Sequence, residues 1–187
     1  LAILSLAKKG NTNSLRMAEL FTEMAALAWH PVCLYRLSLG RQDTLQNAIV
    51  EIQRKSNLPP DAKPAMIRRF VDDSTESMAT LDYFKRHVPT RLLTPWFSEK
   101  LRGVVDSRRD TLIQRLAKES QRTHLASPYW FERASILLND AWLAFLVENM
   151  AVVKAFAEHH LALYLQARNP NVPGVVNKLH APTASQL

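Results

Sequence analysis

The stretch from Asn139 to Asn177 reads NDAWLAFLVENMAVVKAFAEHHLALYLQARNPNVPGVVN, a long helical pattern, an abrupt stop and a tail. Asn139 or Asp140 offers a side-chain oxygen to the unpaired amides of the first turn. Trp142, Leu146, Met150, Val153, Ala157, Leu161 and Tyr164 recur at helical spacing, and Phe145, Phe156, Leu163 and Leu165 broaden the stripe. A stripe that wide predicts burial on more than one side. At ~1.5 Å per residue, Asp140 to Arg168 spans roughly 43 Å, about the width of a small domain. Pro170 ends the helix, because proline disfavours helical geometry at Asn169 and donates no amide. Such a pattern places this helix at the centre of the fold.

Working outward, 187 residues with 47% apolar side chains suffice for one domain with a core. Only four glycines, beside abundant Ala, Leu, Arg and Glu, argue against a β-rich chain. No apolar run approaches the ~20 residues of a membrane span. The single Cys33 excludes an internal disulfide framework and a cysteine-based zinc site, and a reducing cytoplasm is the simplest setting. No signal-sequence pattern is present at the start, although Leu1 is not an initiator methionine and the natural chain is left open there.

The net charge of +7 is unevenly spread. Lys100–Arg122 carries seven basic and three acidic side chains, whereas Val71–Asp82 carries four acidic ones and no basic one. Such a balance favours polyanions, through phosphate contacts and counterion release. The competing account is a solvated, arginine-rich helical surface.

In chain order, Leu1–Lys9 suits a helix end, and Asn13 or Ser14 offers a cap for a helix over Leu15–Trp29. His30-Pro31 interrupts it, with helix expected to resume over Val32–Leu39. Gly40 suits a positive φ and Asp43 an N-cap for Thr44–Ser56. Asn57–Pro64 reads as a tight corner, and Pro64–Val71 opens another helix. A short helix through Met78, Leu81, Tyr83 and Phe84 should close at Pro89. Thr90–Phe97 is an apolar crossing segment. Asp106–Arg122 is the most basic helix, with Leu112, Ile113, Leu116 and Ala117 as its apolar side. Ser127–Trp130 forms an aromatic turn, and Phe131–Leu138 fits either a strand or a helical entry. The sum is an all-α fold, a single irregular helical domain of about six to nine helices around a long C-terminal central helix, with little or no sheet. Residues 1–168 form the helical domain, and 169–187 an extended tail or linker rich in Pro and Asn.

No catalytic constellation emerges. His159-His160 follows Glu158 but makes no HExxH motif. His160 lies 18 residues after Trp142, five helical turns, and reads as a core or groove histidine. Zinc needs three or four converging ligands, and the six histidines assemble none. Asp106 and Asp110 stand one turn apart beside Arg108 and Arg109, which favours surface salt bridging over a shared ion. Asp61-Ala62-Lys63 has the acid-x-lysine form of some nucleases but no strand to carry it. Cys33 and the serines lack a base on a recognisable elbow, and no glycine loop cradles phosphate.

Three sets of residues carry a resemblance. The first is Ala28-Trp29-His30-Pro31-Val32 with Tyr35-Arg36-Leu37-Ser38-Leu39-Gly40-Arg41-Gln42-Asp43. The second is Val88-Pro89-Thr90-Arg91-Leu92-Leu93-Thr94-Pro95-Trp96-Phe97. The third is Leu165-Gln166-Ala167-Arg168-Asn169-Pro170-Asn171-Val172-Pro173, closing with Asn177-Lys178-Leu179-His180-Ala181-Pro182. In this order they resemble the helical region that precedes the catalytic module in a group of bacterial HNH-endonuclease-domain proteins. The resemblance implies a metal-dependent parent nuclease of restriction or antiphage-defence type. Its general-base histidine, orienting asparagine and metal-ligating histidine would sit in a C-terminal module that nothing in this chain matches. No catalytic residue, no metal ligand and no cofactor is therefore assigned here; a divalent metal belongs only to that module.

The expected function is thus a non-catalytic helical portion that binds DNA or regulates the nuclease. Arg108, Arg109, Arg115, Lys118 and Arg122 are the first candidates for phosphate contact, with Arg68 and Arg69 extending the patch. Against this stands pairing of the same residues with Asp72, Asp73 and Glu76, where exposed pairs contribute only ~0–1 kcal/mol each. The alternative class is a protein-interaction or dimerisation module without nucleic acid, its surface built from the long apolar helix and Trp96, Phe97, Tyr129, Trp130 and Phe131. Expected partners are DNA and a second copy or another protein, with no membrane.

Overall fold

Helix α2, Met17–Trp29, is the element the others cover. Its sequence MAELFTEMAALAW puts a single charged side chain, Glu23, among the buried positions, and that carboxylate is ion-paired. Phe21, Ala25 and Trp29 are fully buried, and Leu20, Thr22, Glu23 and Ala26 nearly so. The computed structural model describes residues 1–9, 13–40, 43–74, 87–123 and 126–181. Within them α2 packs against α1 (Ala2–Lys9), α3 (Thr44–Ser56) and α4 (Pro64–Asp73). Each fully buried side chain the size of Phe21 contributes about 1.5–3 kcal/mol.

Local signals set the helix ends. The Asp43 carboxylate accepts from Gln46 N–H at 3.0 Å and starts α3, which stops at Asn57 with φ 55°. Pro64 occupies the first turn of α4, where its missing amide costs nothing. Pro31 has the opposite effect. It cannot donate to the preceding turn, so α2 widens into a π turn over His30–Leu34, with Tyr35 N–H reaching His30 O at 2.9 Å. Arg36 then takes φ 52° and residues 36–40 are irregular, so of the helix expected over Val32–Leu39 only Val32–Leu34 is helical, within the π turn. Gly40 has φ 141°, as its position demanded.

Pro89 does not close a helix; residues 87–92, the described part of α5, are helical around it. The expected helix from Met78 to Phe84 lies outside the described residues, as do Arg41 and Gln42. A 3₁₀ turn, Thr94–Phe97, leads toward α6, Asp106–Ser120. Residues 129–138 form a hairpin, β2 (Tyr129–Glu132) and β3 (Ser135–Leu138), turning through Arg133 at φ 52°. The short β1, Ser14–Arg16, adds to its other edge, giving an antiparallel sheet of order β1-β3-β2 with Ser14 opposite Leu137 and Tyr129 opposite Leu138. Leu15, Tyr129, Ile136 and Leu138 point into the core.

The chain is predominantly helical, with eight helices and this one small sheet among the described residues. The long C-terminal pattern is not its centre. It divides at Asn149 into α7 (Asp140–Glu148) and α8 (Met150–Arg168); α7 has no buried residue, and α8 buries only Ala162 and Leu165. Asn139 does cap it, accepting from Ala141 and Trp142 N–H at 3.1 and 3.3 Å. Beyond Pro170 the chain is not extended through residue 181. It folds back through a 3₁₀ turn, Val175–Lys178, that buries Val175 and Leu179.

Candidate nucleic-acid interface

Helix α6 has two chemically distinct sides. Ile113, Leu116 and Ala117 are buried where α6 packs on β2 and the 94–97 turn. Successive residues turn by about 100°, so Arg108 and Arg115 fall on one line opposite that face, with Lys118 close beside it; the helix stops at Ser120 and not at Arg122, which sits in the turn that follows. All four are exposed. Arg108 and Arg115 also border an open concavity of about 650 Å³ floored by Leu112, Thr111, Val104 and Val105. The loop that forms its wall is held by Arg109, whose Nε donates to Val104 O at 3.0 Å.

The candidate cations therefore separate. Arg108, Lys118 and Arg122 make no ion pair among the described residues, and Arg115 stands 3.7 Å from Glu119 with both side chains mostly in water. Such an exposed pair contributes little and leaves Arg115 available. Arg109 is committed to the loop. Arg68 is committed to the fold: its Nε and Nη2 donate to Glu23 Oε2 and Oε1 at 2.7 and 2.9 Å. Glu23 is buried on α2 and also accepts from Ser5 Oγ at 2.6 Å. That bidentate contact keeps the Arg68 guanidinium more firmly protonated than usual. Arg69 is exposed on α4, 3.6 Å from Asp73. Because α4 rests on α2 and α6 on β2, the two arginine groups do not share an element or a support.

Asp106 and Asp110 are salt-bridged, but to partners other than Arg108 and Arg109. Arg91 bonds Asp106 and Asp110 at 3.0 Å each, and His87 Nδ1 stands 2.6 Å from Asp110. The Arg91 guanidinium holds Asp106 below the usual carboxylate range. Sequence spacing along one helix had no access to this pairing, which reaches across from α5.

The remaining candidates are structural or exposed. His160 is not a core histidine; it lies in solvent with its ring 4.3 Å from that of Phe156. Trp29 is fully buried and donates from Nε1 to Pro59 O at 3.3 Å. Cys33 is buried, and desolvation pushes its thiol up to about 12, which removes it as a nucleophile near neutral pH. Among the described residues no group of three or more His, Cys, Asp and Glu is placed to hold a metal ion. No helix among them is long and apolar enough to cross a membrane.

Two phrases that carry the resemblance meet in space. Tyr164 Oη, just before Leu165, donates to Leu39 O at 2.8 Å, and the Asn169 side chain bonds the backbone of Ser38. The apolar features noted in the sequence gather elsewhere. Trp96, Trp142 and Phe145 form an edge-to-face series with 5.9 Å centroid spacings, and Trp96 and Phe145 remain exposed. No family model matches the chain, no curated protein matches it, and no solved structure matches it.

Proposed function

We propose that this chain is the non-catalytic helical part of an HNH-type endonuclease, and that the outer face of α6 holds a nucleic-acid backbone. The observation that carries the reading is the row Arg108, Arg115 and Lys118, outward on α6, with Arg122 exposed in the turn just past its end, none of them committed to a strong internal partner. Guanidinium groups bind phosphate oxygens through two parallel N–H donors. Arg108 and Arg115 are seven residues and ~10.5 Å apart along α6, comparable to the axial rise of about three base pairs of a duplex. Contacts of this kind position a duplex without reading its sequence. Cutting would belong to a separate module supplying its own histidines and divalent metal. The nuclease identity, a defence role and a cytoplasmic setting rest on the sequence resemblance and composition.

The test is duplex DNA binding by the 187-residue chain across a salt series. The expected result is a Kd in roughly the micromolar range that weakens steeply as salt rises. No binding at low salt retires the reading. A second reading, a protein-interaction module without nucleic acid, is favoured by the large apolar side chains exposed along α7 and α8, among them Phe145, Val147, Val152, Phe156 and Leu163.

A further inference from the structure

Helix α8 turns its least charged side to water. Between Met150 and Ala167 its only formal charges are Lys154 and Glu158. Both lie about 200° around the helix from Phe156, with Glu158 largely covered and Lys154 half-exposed. Lys154 Nζ donates to Glu158, and His180 Nε2 stands 3.1 Å from the same carboxylate. The outward side carries Val152 (71% exposed), Phe156 (65%) and Leu163 (54%), with Phe145 of α7 (47%) in line before them. Ala144, Ala151 and Ala155 flank the row and are also exposed, leaving room for a close neighbour.

The spacing of this row is specific. Phe145, Asn149, Val152, Phe156, His159 and Leu163 advance by four, three, four, three and four residues, the 3.5-residue period of helix-pairing seams. Helical hydrogen bonding crosses the junction at Asn149, whose N–H reaches Phe145 O at 2.9 Å while its own carbonyl accepts from Val153 N–H at 3.0 Å. Read from either end, the row is apolar, polar, apolar, apolar, polar, apolar. A row with that symmetry is complementary to itself when reversed. A two-fold axis midway between Val152 and Phe156 sets Phe145 against Leu163, Asn149 against His159 and Val152 against Phe156.

We propose that two copies of this chain pair antiparallel through the outward face of α7–α8, with Val152 and Phe156 at the centre. The occupant is a second copy because an isologous contact requires a self-complementary patch, and this one is. The Asn149 amide donates from Nδ2 to Phe145 O at 2.9 Å in its own helix, which leaves Oδ1 as the acceptor set opposite the His159 imidazole, a polar pair that selects this register over a slipped one. At 150–250 Å² for a whole aromatic side chain, the exposed row offers roughly 500 Å² per copy, and about 1,000 Å² for the pair lies at the lower edge of what a specific interface buries, the size of a weak, concentration-dependent dimer. The inference is independent of nucleic-acid binding.

Sedimentation equilibrium of the 187-residue chain, followed from micromolar to hundred-micromolar concentration, tests it. The expected result is a monomer–dimer equilibrium that Phe156→Glu shifts to monomer, with an unchanged circular-dichroism spectrum. Orientation is read by mixing Phe145→Cys and Leu163→Cys chains under oxidation, the buried Cys33 staying out of the reaction. Antiparallel pairing gives the mixed disulfide in excess over the two like-with-like products. A chain that is monomeric throughout, a dimer indifferent to Phe156→Glu, or like-with-like crosslinking overturns the proposal.

Discussion

The side-chain amide of Asn169 pairs with both backbone polar groups of Ser38, 131 positions earlier: Oδ1 accepts from Ser38 N–H at 2.8 Å and Nδ2 donates to Ser38 O at 3.0 Å. The same Nδ2 donates to Leu165 O at 2.8 Å. An amide replaces a missing β-partner for the irregular segment after the π turn and closes the last turn of α8. With Tyr164 on Leu39 O, and Arg168 stacked 3.6 Å over the Tyr164 ring, it locks the end of α8 onto residues 38–40.

Asn169→Ala should therefore lower stability by about 1–3 kcal/mol, since three half-buried bonds disappear together. Asn169→Asp should cost at least as much, because a carboxylate would face the Ser38 and Leu165 carbonyls. Urea denaturation of the variants measures both; an Asn169→Asp chain as stable as the original would refute the clamp.

Charge reversal at Arg108 and Arg115 should weaken duplex binding and reduce the slope of log K against log salt by about 1 for each phosphate no longer neutralised. Neither residue supports the core, so the melting temperature should hold. A salt slope unchanged in the double variant would remove α6 from the interface.

Arg68 should behave in the opposite way. Its side chain is 31% exposed but sits on a Glu23 carboxylate that is 2% exposed. Arg68→Ala takes the guanidinium from beside that buried carboxylate and should cost about 3 kcal/mol, with little change in salt slope. A drop in DNA affinity without a drop in stability would reassign Arg68 to the surface.

His30 sets a pH dependence. It is buried, its Nε2 has no hydrogen-bond partner among the described residues, and burial lowers its pKa against the opposing influence of the Asp61 and Ala62 backbone. A histidine held neutral in the fold contributes stability that is complete above its unfolded value of about 6.5. That contribution is lost as pH falls from there toward the depressed folded value. Denaturation midpoints from pH 7.5 to pH 5, compared with His30→Gln, measure it; the variant should show a flatter profile.

Much of the helical architecture was legible because it is decided within a few residues. The Asp43 and Asn139 oxygens and the prolines at 64 and 170 act on the turn next to them. Pro31 shows the limit of such reasoning. Its missing donor was evident in the sequence, but whether the helix would resume or widen into a π turn depended on where Tyr35 and Leu37 found acceptors. Phe131–Leu138 was ambiguous for a similar reason, and Ser127–Trp130, expected as a turn, carries the start of β2 at Tyr129, because β2 and β3 pair with each other and β3 pairs with β1, more than a hundred residues away.

The sequence by itself determined that the chain is helical, where most helices begin and end, and that α6 has one basic side. Only the tertiary structure decided which helix lies at the centre. Periodicity measures how apolar a helix is, not what covers it: α2 and α7–α8 are both broadly apolar, yet α1, α3 and α4 enclose the first, whereas α1 and the 175–178 turn cover only the inner side of the second. The pairing of Arg68 with Glu23 and of Arg91 with Asp106 and Asp110 was equally out of reach. Charge partners on different helices are set by packing in three dimensions, and spacing along one helix carries no record of them.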